Sequence, residues 1–230
     1  MEGCCLPLRL RQSPDDCRAI LLKANDPKTM MQSPADRMSL SSVALETTPA
    51  EPTCLLVIAH PRLDRSVVNA RLAKTAGERP EIEIHDLYQA YPDYQIDVAA
   101  EQERLLRHKV IGVQFPLFWY SVPALLKEWF DLVWLHRFAY GGHAPRLAGK
   151  TLFCAASTGG DERSYCEGGR NGYSVEEFLR PLERTAALCQ MRWAAPHLLH
   201  DAPRLREEPL EQAAQGYGRY LDNLMRETVI

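Results

Sequence analysis

The chain reads as a doubly wound α/β fold: a five-stranded parallel sheet with helices on both faces. Three observations predict it. From residue 53 onward, short apolar runs alternate with longer amphipathic stretches. The apolar runs are nearly unbroken, as strands buried on both faces require. Each run leads through a polar or Gly-containing loop to a helix start, the pattern of repeated strand–helix units.

The elements follow in order. Residues 53–59 (TCLLVIA) make the first strand. The Ser66 hydroxyl can cap a helix over 67–76. Residues 82–85 alternate as a short strand, and 98–107, rich in Ala, Glu and Leu, read as a helix. The third strand is 109–115 (KVIGVQF), and Pro123 suits the first turn of a helix running to 136. The fourth strand is 150–157 (KTLFCAAS). Ser174 and Glu177 make a capping box for a helix reaching 190. A weaker fifth strand spans 191–198, and a closing helix spans 205–225. In open sheets of this kind, ligands sit beyond the carboxyl ends of the strands.

Composition narrows the class. The 230 residues carry a net charge of −3, which makes no electrostatic case for nucleic acid. No run approaches the roughly 18 apolar residues of a membrane span. The longest, 115–126, is broken by Pro116, Ser121 and Pro123. Seven cysteines, with no CxxC pair and no zinc-finger histidine spacing, point to unpaired thiols in a reducing, cytoplasmic setting and to no metal. The start has no continuous apolar stretch of signal-peptide type.

Residues 1–52 differ from the rest. Pro7, Pro14, Pro27, Pro34, Pro49 and Pro52 punctuate them, so they read as a disordered extension before a folded domain at 53–230. The stretch also admits an upstream start-site artefact, or a targeting or partner-binding arm. Its seven acidic residues argue against a transit peptide.

Three loops follow strand carboxyl ends and converge on one edge. The first, 60–69, offers His60, Ser66, Asn69 and the free N–H groups of a helix start, which suit a phosphate. Read alone, it is equally an ordinary N-cap. The second, 116–121, places Phe118, Trp119 and Tyr120 in a row, able to wall a planar ring or to pack a core or subunit contact. The third, Ser157-Thr158-Gly159-Gly160, removes side chains where a flat ligand meets backbone, or is a plain turn. Together the loops describe a mononucleotide with a tricyclic ring better than a sugar phosphate.

The stretches AHPxxxxSxxN (59–69), HDLYQAYPDYQID (85–97), FPLFWYSVPALLKEWFD (115–131) and STGG (157–160) resemble the flavodoxin-like NAD(P)H:quinone oxidoreductases. The resemblance is closest to the ancillary proteins of glutathione-gated potassium-efflux systems, and it covers 53–205. It implies a flavodoxin-like fold, bound FMN, NAD(P)H as hydride donor and a quinone as acceptor. His60, Ser66, Val67, Val68 and Asn69 would then contact the phosphate and ribityl chain. Leu117, Phe118, Trp119 and Tyr120 would contact the isoalloxazine, and Ser157, Thr158, Gly159 and Gly160 its other edge.

In that family a Tyr and a His after the Gly-Gly loop assist hydride transfer. Tyr165 fills the first place, but Arg170 stands in the second. An arginine stays protonated and cannot shuttle a proton as histidine does. It can stabilise a hydroquinone anion or cofactor phosphates, or be a solvated loop charge. The resemblance further implies a homodimer, and docking on the cytosolic face of a potassium-efflux antiporter at the inner membrane. The helix 123–136 carries Leu125, Leu126, Trp129, Phe130, Val133 and Trp134, more apolar area than one sheet face needs. Part of it reads as the dimer surface, or all of it as core. Two other functions stay open: a non-enzymatic electron carrier, against which the mild net charge speaks, and a reductase of azo or nitro compounds.

Overall fold

The computed structural model describes residues 53–229, with side chains described through residue 227. The expected N-terminal extension at 1–52 lies outside the described residues.

The elements run β1 (Cys54–Ile58), α1 (Val67–Gly77), β2 (Ile82–Asp86), α2 (Leu87–Ala90), α3 (Val98–Arg107), β3 (Val110–Pro116) and α4 (Ala124–Val133). They continue with β4 (Thr151–Ser157), α5 (Val175–Leu188), β5 (Arg192–Trp193), β6 (His197–Leu199) and α6 (Glu207–Val229). The strands are all parallel, in the order β2-β1-β3-β4-β5, with β6 also paired to β4. The chain therefore reverses its direction of travel across the sheet between β1 and β3. That switch point opens a crevice at the strands' carboxyl ends.

The two faces of β1 show why the fold closes. Leu55, Val57 and Ala59 pack into a cluster with Phe115, Leu126 and Trp129. Cys54, Leu56 and Ile58 pack into a second cluster with Val68, Leu72 and Tyr217. Strand side chains alternate between faces, so one apolar run serves both layers. Gly112 on β3 is required by close approach: a Cβ there would lie 2.3 Å from the Phe153 ring and 2.8 Å from Leu56.

The structure departs from the sequence expectation at four elements. The fifth strand is two short pieces, β5 and β6, separated at 194–196, where Pro196 has no N–H for the ladder. α2 was not expected; Asp86 nucleates it by accepting hydrogen bonds from the Tyr88 and Gln89 N–H groups. α4 is shorter than 123–136: Pro123 is its N-cap at ψ 152°, and Trp134 leaves helical geometry at ψ 57°. The closing helix runs on to Val229. The capping box at Ser174 and Glu177 forms as expected.

Leu125, Leu126, Trp129, Phe130, Val133 and Trp134 are all buried within the chain itself, whereas Leu132 (38%) and Leu135 (47%) of the same stretch are exposed. Trp129, Phe130 and Trp134 pack edge to face, with centroids 4.9–5.9 Å apart. The six residues named for this stretch are thus core packing in their own protomer.

The stretch 85–97, one of the four that carry the resemblance, contributes His85 and Tyr91 to a buried scaffold cluster. Glu101 of α3 is fully buried, and its carboxylate accepts hydrogen bonds from Tyr91 Oη (2.8 Å) and Trp129 Nε1 (2.8 Å). His85 Nε2 lies 2.9 Å away. Burial pushes this carboxyl up, but the charge and hydrogen bond of His85 and the donors Trp129 and Tyr91 outweigh it, so its pKa falls below the usual value. The group ties β2, α3 and α4 together behind the crevice.

Candidate functional site

A cleft of about 480 Å³ lies at the carboxyl ends of β1, β3 and β4. At its first wall, Ser66 caps α1 by accepting from the Asn69 N–H at 3.2 Å. The N–H groups of Val67 and Val68, in the first turn, have no carbonyl to bond within the helix and face outward. The N-cap thus leaves these two N–H groups open to an acceptor from the cleft.

Asn69, 3% exposed, joins two loops: its Nδ2 donates to Ser66 Oγ (3.3 Å) and to Ser157 Oγ (3.0 Å). Its Oδ1 is buried and has no hydrogen-bond partner. His60 Nδ1 accepts from the Arg62 N–H at 3.1 Å, which places the ring proton on Nε2. Burial lowers the His60 pKa, opposed by Asp86 and Asp64. Arg62 and Arg65 also line this wall, with the Arg62 guanidinium donating to the Asp64 carboxylate (3.1 and 3.0 Å).

The second wall is Pro116, Leu117 and Phe118. Phe118 then pairs with Ser121 in a two-residue hairpin, with reciprocal N–H to carbonyl bonds of 3.0 Å. Its central residues, Trp119 (φ 49°) and Tyr120 (φ 60°), both sit in left-handed geometry. Trp119 is 93% exposed at the lip, outside the cleft lining. Tyr120 packs on Phe178 (4.9 Å) and donates to Asn171 Oδ1 (3.3 Å).

Ser157, Thr158 and Gly159 form the third wall. Gly160 sits behind it, where a Cβ would lie 3.2 Å from the Tyr165 ring. Tyr165 is half-buried between Phe178 and His200. Arg170 is exposed on the following loop, outside the cleft lining, with no ion pair to any described residue.

Sequence reasoning missed a fourth wall, Ala202, Pro203 and Leu205. These residues follow β6, so the rule that ligands gather beyond strand carboxyl ends could have found them. The weak fifth strand hid the signal. A separate apolar cavity of about 300 Å³ lies between α4 and α5, lined by Phe130, Trp134, Leu179, Leu182 and Leu188.

A cleft of this build, at the switch point of a parallel doubly wound sheet, defines a flavodoxin-like protein, and the chain belongs to the flavodoxin-like fold family, whose model matches residues 52–221. Within that family it is similar to the glutathione-regulated potassium-efflux system ancillary protein KefG of Serratia proteamaculans (strain 568). The two are 45% identical over 172 residues, spanning 75% of this chain and 94% of that protein. Two solved structures are also similar. The general stress protein 14 of Treponema denticola, in complex with FMN, matches with TM-score 0.71 and 35% identity, over 75% of this chain and 99% of that one. An NADPH-quinone reductase from P. pentosaceus matches with TM-score 0.67 and 30% identity, over 73% and 96%.

Proposed function

We propose that the chain binds FMN in this cleft and transfers hydride equivalents from NAD(P)H to a quinone. The observation that carries the reading is the composite first wall. Free helix N–H groups, two arginines and an orphaned buried acceptor, Asn69 Oδ1, together fit a phosphate followed by a hydroxyl-bearing chain. FMN, when bound, supplies the two-electron relay between donor and acceptor.

The protein's own residues would do the rest. The α1 N-terminus, Ser66, Val67, Val68 and His60 Nε2–H would hold the phosphate and sugar end. Leu117 and Phe118 would exclude water along one side, with Trp119 and Tyr120 at the rim. The backbone of 157–160 would offer N–H groups to the polar edge of the ring. Tyr165 would orient the acceptor, and Arg170 would supply fixed positive charge nearby.

The relatives' names support a second role for the same chain, as an ancillary protein of a potassium-efflux system, which we propose it meets on the cytoplasmic side. Among the described residues no helix is long and apolar enough to cross a membrane, which suits peripheral attachment through that partner. A homodimer would use the groove between α4 and α5, where Leu188 is 54% exposed.

Purified protein should carry, or take up, FMN with flavin absorbance, and should oxidise NADH or NADPH only when a soluble quinone is supplied. Protein that stays colourless after FMN addition defeats the reading. Initial rates over both substrates should give parallel reciprocal plots, since donor and acceptor share one cleft. Intersecting lines would overturn the shared site.

A further inference from the structure

We infer that His200 is a positioning residue that latches the Gly-Gly wall of the cleft; its consequence for flavin rests on the function proposed above. Three backbone bonds first bring the two segments together. Thr158 N–H donates to Leu199 O (2.9 Å), Asp201 N–H to Gly160 O (2.8 Å) and Ala202 N–H to Thr158 O (2.9 Å). Asp201 adopts φ 56°, which turns its amide toward Gly160 and leaves His200 at the apex of the contact.

The side chains then complete the latch. Thr158 Oγ1 lies 2.8 Å from Gly160 O and 3.1 Å from His200 Nδ1. A hydroxyl has one proton. If it went to His200, two acceptor oxygens would face each other at hydrogen-bond distance. The proton therefore goes to Gly160 O, and His200 Nδ1 must donate to Thr158 Oγ1. This puts a proton on Nδ1, while Nε2 has no partner among the described residues. The result is a directed chain: His200 donates to Thr158, and Thr158 donates to Gly160.

The other face of the imidazole backs Tyr165, with ring centroids 5.8 Å apart and planes at 41°. Tyr165 also closes on Gly160, where an added Cβ would press on its ring at 3.2 Å. One imidazole thus holds both the loop that lines the cleft and the tyrosine beside it. His200 stands 42 residues beyond Thr158 in the chain. It acts through these neighbours, not on a substrate.

The test uses the full chain and two variants that divide the two contacts. His200→Phe keeps a ring against Tyr165 but cannot donate to Thr158. His200→Asn loses the ring but can donate through its amide. Hydrogen exchange of protein without added FMN reads the latch directly. In H200F, the amides of 157–160 and 199–202 should exchange about tenfold faster than in the parent, while β2 amides are unchanged. H200N should rescue exchange to within about threefold of the parent. FMN titration, followed by flavin fluorescence quenching, should show about tenfold weaker binding in H200F and near-parental binding in H200N.

Unchanged exchange in H200F, equal loss in both variants, or faster exchange everywhere in the sheet overturns the latch. A parent that binds no FMN, with exchange in H200F still locally raised, removes the flavin reading and leaves the latch standing.

Discussion

At the scale of single residues, the turn at 118–121 bears a cost that the fold alone does not explain. Both central positions hold aromatic side chains in left-handed geometry, where Asn-Gly is the unstrained choice. Each L-residue there costs about 1–2 kcal/mol. Trp119 is almost wholly exposed, so little packing offsets it. Trp119→Asn should therefore raise the stability of the ligand-free protein by about 0.5–1 kcal/mol. The readout is a higher denaturant midpoint at unchanged slope. If the lip serves the flavin, the same change should weaken FMN binding, and a variant that gains stability with unchanged FMN affinity would remove Trp119 from the site. Asn69 is the opposite case, a residue on which fold and site agree. Asn69→Ala removes the bonds to Ser66 and Ser157 and should cost about 1–3 kcal/mol in urea unfolding. It should also abolish FMN uptake at micromolar concentration. Ser66 and the Gly-Gly loop were legible in the sequence because their signals are local, a cap three residues before the N–H that donates to it and a dipeptide after a strand. His200 was not legible, because its meaning lies in contacts with Thr158 and Tyr165 that only the sheet order creates.

At the scale of elements, the buried Glu101 cluster decides how β2, α3 and α4 meet. The carboxylate receives donors from Tyr91 and Trp129, so it must stay an acceptor. Glu101→Gln would turn an N–H₂ group toward one of those donors and leave a buried group unpaired. The expected loss is about 2–4 kcal/mol, read by chemical denaturation at neutral pH. A loss under half a kcal/mol would show that the cluster is not structural. This also explains why the stretch 85–97 identifies the family while lining none of the cleft: it supports the scaffold behind it. Helix α4 shows what a pattern leaves open. Its apolar excess admits a dimer surface or core, and three aromatics packed against one another hold much of that area inside the protomer, while Leu132 and Leu135 stay exposed. Periodicity counts apolar positions; it does not reveal that Phe130 and Trp134 fold back on Trp129.

For the whole molecule, the fold class and strand sequence were readable from alternation alone, since buried parallel strands carry unbroken apolar runs. The split of the last strand was not, because its two pieces are too short for any period to register. Acid stability is a further property of the whole. Burial pushes the His197 pKa down from 6.5 to about 4, beneath Tyr217 and Tyr220 of α6. Between those values the unfolded chain takes up a proton that the folded chain refuses. Stability should therefore fall as pH drops from about 6.5 to 4, by up to about 3 kcal/mol. Glu101 extends the loss at lower pH, since its folded pKa lies below the usual carboxylate value. Urea midpoints from pH 7 to 4 should show the decline, and His197→Phe should flatten it. An equal slope in that variant would assign the acid sensitivity elsewhere.

The divided last strand has one more consequence. A sheet margin with a long, flat run of open amides invites another chain to add itself as a further strand. Here that margin is two pieces of two and three residues set apart by Ala-Ala-Pro, too brief and too broken to template such growth. At this rim the molecule resists edge-to-edge polymerisation, and copies that associate on this side must meet through their helices.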